Sequence, residues 1–284
     1  MIEIMKGIIL SGGTGSRLYP MTQVVNKQLL PVFDKPMIYY PLSTLISKGI
    51  NEICIISSIE YINLYKQLFN DGKSIGINIE YRIQPQPNGI AQSFIIAEDF
   101  IKNNSVALIL GDNIFHGELN LIFKDAGANI FAYEVTNPQS YGVVEFNSYG
   151  EAVSLEEKPK IPKSNYAVPG FYVYDSDVTS IVKNLKPSDR GELEITDLNC
   201  VYMSYGKLKV TKLQRGFVWL DAGTPVTLQQ ASTYIQTIQE RQGIKIGCIE
   251  EESYKAGFIN KCQLTNLVDK MPKSDYKFYL EKLL

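Results

Sequence analysis

Short β-rich runs alternate with stretches of helical periodicity through the first half of this chain, and that order permits few folds. Strands are expected at residues 7–10, 52–57, 79–83, 106–110 and 130–135. Between them, residues 37–48, 61–69 and 91–101 carry apolar side chains at helical spacing, with Gly49 placed as a helix C-cap. A β-α-β-α order gives a largely parallel sheet covered on both faces, and ligands of such sheets sit outside the carboxyl ends of the strands. The second half is less regular. Residues 142–146 and 152–156 read as a hairpin around Ser148-Tyr149-Gly150, 167–174 and 217–220 as further strands, and 176–185 and 195–205 as helices. From Pro225 the strand signals stop, and 227–241 followed by 264–284 read as a helical tail. With no linker and no repeat, the expectation is one domain: a core over residues 1–224 with a helical C-terminal segment, 225–284, packed on it.

Directly after the apolar run Gly7-Ile8-Ile9-Leu10 comes Leu10 to Arg17, Leu-Ser-Gly-Gly-Thr-Gly-Ser-Arg, so a glycine-rich loop leaves the first strand at its carboxyl end. Glycine there lets backbone N–H groups approach phosphate oxygens with no Cβ in the way, and Arg17 adds charge in a bidentate fork. Two common phosphate loops are excluded by the residues. A Walker loop needs Lys-Ser or Lys-Thr after its last glycine, and a dinucleotide fingerprint needs a third glycine where this chain has Leu18.

Composition removes further classes. Lys plus Arg total 28 against 30 Asp plus Glu, a formal net charge of -2, without the basic bias of a nucleic-acid binder. Cys54, Cys200, Cys248 and Cys262 are widely spaced with no Cys-x-x-Cys pair, which argues against zinc and a disulfide scaffold. Met1 is followed by Glu3 and a strand rather than a signal peptide, and no apolar stretch reaches the ~18 residues of a membrane span. A reduced, cytoplasmic protein with neither membrane nor nucleic-acid partner is expected. The single histidine, His116, rules out two-histidine metal motifs and reads as a loop or interface residue.

The chemistry-bearing residues cluster by position. Lys27 stands before Gln28-Leu29-Leu30-Pro31, at the mouth of something buried and within reach of the phosphates that Arg17 would meet. Asp112 and Asp221 each end an apolar run, and two hard carboxylates beside a triphosphate are how Mg2+ is normally held. Glu157 and Lys158 offer a carboxylate for sugar hydroxyls and an ammonium for a second phosphate. Gln84-Pro85-Gln86-Pro87-Asn88-Gly89 puts a side-chain amide, able to donate and accept, on a stiff loop at a strand end.

In order along nearly the whole chain, Gly-Gly-x-Gly-x-Arg, Lys27 before Gln-Leu-Leu-Pro, Gln-Pro-x-Pro-x-Gly, Gly-Asp-Asn-Ile-Phe, Tyr-Gly-Val-Val-Glu-Phe, Glu-Glu-Lys-Pro, Arg-Gly-Glu-Leu-Glu-Ile-Thr-Asp and Trp-Leu-Asp-x-Gly-Thr resemble the sugar-phosphate nucleotidylyltransferases. The resemblance extends into the tail through Glu240-Arg241-Gln242-Gly243 and Lys255-x-Gly257-Phe258-Ile259. It implies a Rossmann-like three-layer α/β fold with a mixed, mainly parallel central sheet. It also implies transfer from dTTP to glucose 1-phosphate, giving dTDP-glucose and pyrophosphate, the first step toward dTDP-deoxysugars, in a homo-oligomer, typically a tetramer. By the same resemblance Gly12, Gly13, Thr14, Gly15 and Arg17 would hold the triphosphate, with Gln28, Gln84 and Gly89 around the base and deoxyribose, and Leu10, Pro87 and Asp112 would also bind the nucleotide. Lys27 would bridge the reacting phosphates, and Asp112 and Asp221 would carry Mg2+. Tyr141, Gly142, Glu157, Lys158, Val168 and Tyr172 would surround glucose 1-phosphate, supported by Arg190, Glu192 and Trp219.

One stretch departs from the family pattern. Between Phe115 and Ala132 the chain is several residues shorter, and His116-Gly117-Glu118 stands where the family usually has Tyr-Gly-His. Relatives use this neighbourhood for a regulatory nucleotide site at a subunit interface, so the resemblance does not carry that site over. Three alternatives stand beside this reading: a uridylyl- or cytidylyltransferase, since a methyl group separates thymine from uracil by roughly 1–3 kcal/mol in a pocket; a GT-A-type glycosyltransferase, which would show an Asp-x-Asp pair and lack the glycine loop; and a non-catalytic nucleotide-sugar sensor, which could have lost a lysine or aspartate.

Overall fold

The computed structural model describes residues 5–119 and 126–284. Its centre is Lys6–Ser11, paired in parallel with Glu52–Ser57 on one edge and Val106–Leu110 on the other. Asn78–Ile83 extends the parallel set beyond Glu52–Ser57. The residues explain the placement: Ile8, Ile9, Ile53, Ile55, Leu108 and Ile109 are fully buried, and strands covered on both faces read as unbroken apolar runs. From Lys6–Ser11 the chain goes next to one side of the sheet and later to the other. That makes its carboxyl end a topological switch point, where such sheets open a crevice. Past Val106–Leu110 the sheet becomes mixed. Phe171–Tyr174 runs antiparallel between Val106–Leu110 and Ala128–Glu134, and the antiparallel pair Gly142–Phe146 and Ala152–Glu157 joins through Tyr166–Ala167. Leu208–Lys212, a strand not expected from the sequence, adds in parallel to Ala128–Glu134.

The first-half expectations hold to within a residue or two at each end. Helix Tyr39–Ser47 stops as the glycine requires: Gly49, at φ 77°, donates its N–H to the Ile46 carbonyl at 2.9 Å, and Ile50 donates to Leu45 at 3.2 Å. Residues 91–101 are corrected from one helix to two, Gln92–Ile96 and Glu98–Ile101, with Ala97 outside helical geometry between them. Phe94 and Phe100 are both buried in one cluster, yet in an unbroken helix they would point about 120° apart. Residues 167–174 are likewise split, because Pro169 has no N–H to give a ladder and the Gly170 N–H goes to the Asn113 side chain at 3.1 Å. The tail holds a helix that periodicity missed, Ile249–Lys255, and Pro272 falls in the break between Lys261–Lys270 and Asp275–Glu281. Residues 120–125, inside the shortened stretch, lie outside the described residues. Among those described, no helix is long and apolar enough to cross a membrane.

Helix Pro225–Gln242 is capped by Thr224 and packs Leu228, Ala231 and Ile235 against Leu18, Leu30, Val32 and Met37. A buried polar network fixes the contact. Lys35, only 5% exposed, meets the Asp34 carboxylate at 2.5 Å and donates to the Ile246 carbonyl at 2.9 Å; Lys245 reaches Asp34 at 2.6 Å, and the Gln239 amide reaches it at 3.0 Å. Burial works against the Asp34 charge, but the two ammonium groups and the amide together hold its carboxyl below the usual range. A depressed carboxyl stabilises the fold above its unfolded value of about 3.9, and that contribution is lost as pH falls through the folded value. Asp34→Asn is therefore expected to cost about 3 kcal/mol at pH 7, since Lys35 is left buried without its counter-charge. Urea unfolding at pH 7 and pH 3 checks this. A difference between variant and parent that does not shrink at the lower pH contradicts the assignment.

Candidate active site

Lys27 is placed by a short helical turn, Lys27–Leu29, that begins immediately after the buried Asn26. Its stem runs beside the glycine loop, with Cε 3.6 Å from where a Cβ on Gly13 would lie and Cβ 3.2 Å from the same point on Gly15. Its ammonium meets the Asp112 carboxylate at 2.5 Å. Asp112 follows Val106–Leu110, and Asp221 ends Val218–Asp221. The small antiparallel ribbon Asn113–His116 with Val218–Asp221, which sequence reading did not foresee on the Asn113 side, sets Asn113 opposite Asp221. Two acidic side chains from distant parts of the chain thus share one end of one ribbon.

Their environments push them in opposite directions. Burial would raise both carboxyls, but at Asp112 the Lys27 ammonium and the Asn113 amide, donating at 3.1 Å, outweigh it and hold the group below the ordinary range. Asp221 is raised by its own burial and by the negative charge of Asp112, against which the Tyr141 hydroxyl, donating at 3.3 Å, and Arg17 give less. Burial and Asp221 in turn push the Tyr141 phenol up to about 12.

Two cavities meet here. The larger, about 500 Å³, is lined by Tyr141, Gly142, Glu157, Lys158, Val168, Tyr172, Arg190, Glu192 and Trp219, together with Asp112, Asp221 and Arg17. The smaller, about 180 Å³, is lined by Gly13, Thr14, Gly15, Ser16, Lys27 and Gly223, and again by Arg17. Arg17 is the shared wall, its guanidinium 2.9 Å from where a Cβ on Gly223 would lie, so a side chain there would displace it. Every residue expected around the sugar phosphate is brought together in the larger cavity. Leu10, Gly12, Gln28, Gln84, Pro87 and Gly89 are not among the residues lining these two. Gly12 and the buried Gln84 touch, with the amide oxygen 1.9 Å from where a Gly12 Cβ would be, and Gln84 donates to Gln92 at 2.8 Å. Gln28 is buried behind Gly111, and Pro87 is exposed on its loop. Gly89, at φ 102°, lies against Leu193, and main-chain hydrogen bonds from Leu193 to Asn88 at 2.8 Å and from Ala91 to Leu193 at 3.2 Å stitch the two loops together.

Sequence reading missed the residues that hold the others. Asn113 accepts the Trp219 indole N–H at 2.6 Å and the Gly170 N–H at 3.1 Å while donating to Asp112. Glu157 accepts from the Thr196 hydroxyl at 2.6 Å and faces Lys158 at 3.5 Å. The buried Glu194 takes Arg190 at 2.9 Å and Ser188 at 2.7 Å, so Arg190 is tied first to Glu194. The position of Asn113 directly after Asp112 was the available signal; Thr196 and Glu194 gave none beyond their motif. Lys158 adopts a left-handed conformation, φ 44°, unusual without glycine, while its N–H donates to the Tyr141 carbonyl at 3.0 Å. Strain of this kind gathers where a side chain must be aimed.

The nucleotidyl transferase family model matches residues 6–238. This chain belongs to that family. It is 51% identical over 286 residues to a glucose-1-phosphate thymidylyltransferase of Neisseria meningitidis, covering 99% of each chain. It is 50% identical over 285 residues to the protein of that name from Mycobacterium tuberculosis, again covering 99% of each. Among solved structures, one from Bacillus anthracis, provisionally assigned to the same activity and solved with sucrose, aligns with a TM-score of 0.73 at 43% identity, over 81% of this chain and 94% of that one. A UDP-glucose pyrophosphorylase in complex with UDP-glucose shares the fold at 23% identity, with a TM-score of 0.68 over 82% of this chain and 99% of the other.

The opposed shifts at the site make a direct prediction. In Lys27→Ala the Asp112 carboxyl loses its principal counter-charge, so burial dominates and it titrates above rather than below the ordinary carboxyl range. Carbon-13 NMR titration of the aspartate carboxyls reads this, and an Asp112 resonance that stays low in the variant refutes the pairing.

Proposed function

We propose that this enzyme transfers a thymidylyl group from dTTP to α-D-glucose 1-phosphate, releasing pyrophosphate and forming dTDP-glucose. What supports the reading is the full-length likeness to glucose-1-phosphate thymidylyltransferases together with a single arginine standing between two adjoining cavities. The reaction needs no protein nucleophile, because glucose 1-phosphate already carries an anionic oxygen. The difficulties are repulsion between two anions, in-line alignment on the α-phosphorus and charge on the departing pyrophosphate.

Cations of this chain address each of these. In the smaller cavity the loop from Gly12 to Gly15 offers backbone N–H groups to the triphosphate, and Arg17 neutralises the pyrophosphate as it leaves. Lys27 sits on the wall between the loop and Asp112, where it meets the charge gathering at the α-phosphoryl group. In the larger cavity Lys158 receives the sugar phosphate, Glu157 accepts sugar hydroxyls, and Tyr141, Val168, Tyr172 and Trp219 enclose the ring. On the base side, Gln28, Gln84, Pro87 and Gly89 stand around thymine and deoxyribose. Asp112 and Asp221 fit a magnesium ion: both are hard oxygen donors, and Asp112's charge already disfavours ionisation of Asp221, a conflict that a divalent cation removes. Among the described residues no third acidic, histidine or cysteine side chain joins them, as suits an ion that takes water and phosphate for its other positions. When bound, Mg2+ supplies charge neutralisation at the phosphate oxygens. The same reading carries the cytoplasmic setting and the tetrameric assembly that the family resemblance implies.

The deciding experiment is pyrophosphate release with glucose 1-phosphate and each of dTTP, UTP, CTP and ATP, in the presence of Mg2+. Release is expected to be fastest with dTTP; release with UTP or CTP alone would reassign the nucleotide, and none with any would end the enzyme reading. Lys27→Ala is expected to keep the fold and lose about 10²–10³ in turnover, the usual loss for one preorganised charged contact. Near-normal turnover in the purified variant would remove Lys27 from the mechanism.

A further inference from the structure

Directly beneath Lys27 lies a buried polar knot that touches neither cavity. Asn26 is 2% exposed, and Ser11, Ser57 and Tyr65 are completely buried. The Asn26 amide oxygen accepts the Gln28 N–H at 3.1 Å, which caps the turn carrying Lys27, and its nitrogen donates to the Ser11 carbonyl at 3.3 Å. Ser57 donates to that same carbonyl at 3.1 Å. Tyr65, on helix Ile62–Phe69, reaches in from outside the sheet and donates its hydroxyl to the Asn26 oxygen at 2.7 Å. A lone apolar residue would fill this space at less risk, because buried polar groups cost stability unless each is satisfied. What the knot achieves is geometric. It bolts the start of the Lys27 turn to the last residue of Lys6–Ser11, the same residue from which the glycine loop departs.

We propose that Asn26 and Tyr65 are positioning residues for Lys27, acting through the Asn26 oxygen to hold its ammonium on the line between the glycine loop and Asp112. This rests on the assignment of Lys27 to the reacting phosphates. Lys27 has a long, flexible side chain, and a donor held in place before reaction stabilises a transition state more than one that must be ordered during it. The Tyr65 hydroxyl contacts no substrate cavity, so its influence on turnover passes through Asn26 and the turn.

A double-mutant cycle separates this from a merely structural role. Tyr65→Phe removes one hydroxyl and keeps the ring. It is expected to lower kcat about five- to twentyfold, the scale of one lost buried hydrogen bond, with KM for dTTP and glucose 1-phosphate changed less than about twofold. In the Lys27→Ala background, whose slow residual turnover is measurable at high enzyme concentration, the same substitution should change kcat less than about twofold, since nothing is left to position. Thermal unfolding confirms that each variant is folded, and Asn26→Ser enters the same cycle should Tyr65→Phe not fold. Equal factors in the two backgrounds, or an unchanged kcat in Tyr65→Phe, overturn the proposal. Absence of turnover in the parent enzyme would instead overturn the functional reading on which it rests.

Discussion

A strand that must be covered on both edges governs the rest of this molecule. Lys6–Ser11 is parallel to its two neighbours, so the chain cannot turn back into the sheet at Ser11 and has to leave through an irregular segment. The following crossovers diverge to opposite sides, which leaves the space above Ser11 unfilled by any connection. The glycine loop, the Lys27 turn and Asp112 all occupy the rim of that space because each comes immediately after, or is tied to, one of these central strands. The geometry of this candidate site is thus inherited from sheet topology before any side chain is chosen.

Within that frame the charges are arranged as a set of mutual constraints. Three positive groups, Arg17, Lys27 and Lys158, stand among carboxylates that already engage two of them, with Lys27 against Asp112 and Lys158 against Glu157. Charges left bare in a partly buried site would be costly, and charges fully neutralised would attract no anion. Pairing each lysine with one carboxylate keeps the empty site tolerable while leaving its remaining N–H groups able to take phosphate oxygens. Asp112 and Asp221 carry the opposite tension, a like-charge proximity in which Asp112 disfavours the ionisation of Asp221.

Much of this was legible without coordinates, for reasons that differ between residues. The parallel half announced itself because doubly buried strands are apolar throughout, as in Glu-Ile-Cys-Ile-Ile-Ser, and because Gly49 could only end a helix. Arg17, Lys27, Asp112 and Asp221, which the structure brings around two adjoining cavities, stand out in the sequence because each lies at a strand end or loop where charge next to apolar runs is conspicuous. Asn26, Asn113 and Thr196 escaped, since a neutral amide or hydroxyl looks the same in a turn, a cap or a buried bridge until its partners are known. Leu208–Lys212 escaped for a different reason: it alternates lysine and threonine with apolar residues at a half-buried edge, and only pairing with Ala128–Glu134 makes it a strand. The break at Ala97 was unreadable because helical periodicity continues straight through it.

The seam between Gly89 and Leu193 constrains how such an enzyme can diversify. A side chain at Gly89 would come within 2.3 Å of the Leu193 carbonyl, and the two loops also share main-chain hydrogen bonds through Asn88 and Ala91. In the proposed assignment one loop lies on the nucleobase side, and the other leads into Glu194 and Thr196 beside the larger cavity. They are therefore not interchangeable modules. Grafting a base-selecting loop from another nucleotidyltransferase would drag the sugar wall with it, so nucleotide choice and sugar choice in this scaffold have to be altered as one cassette.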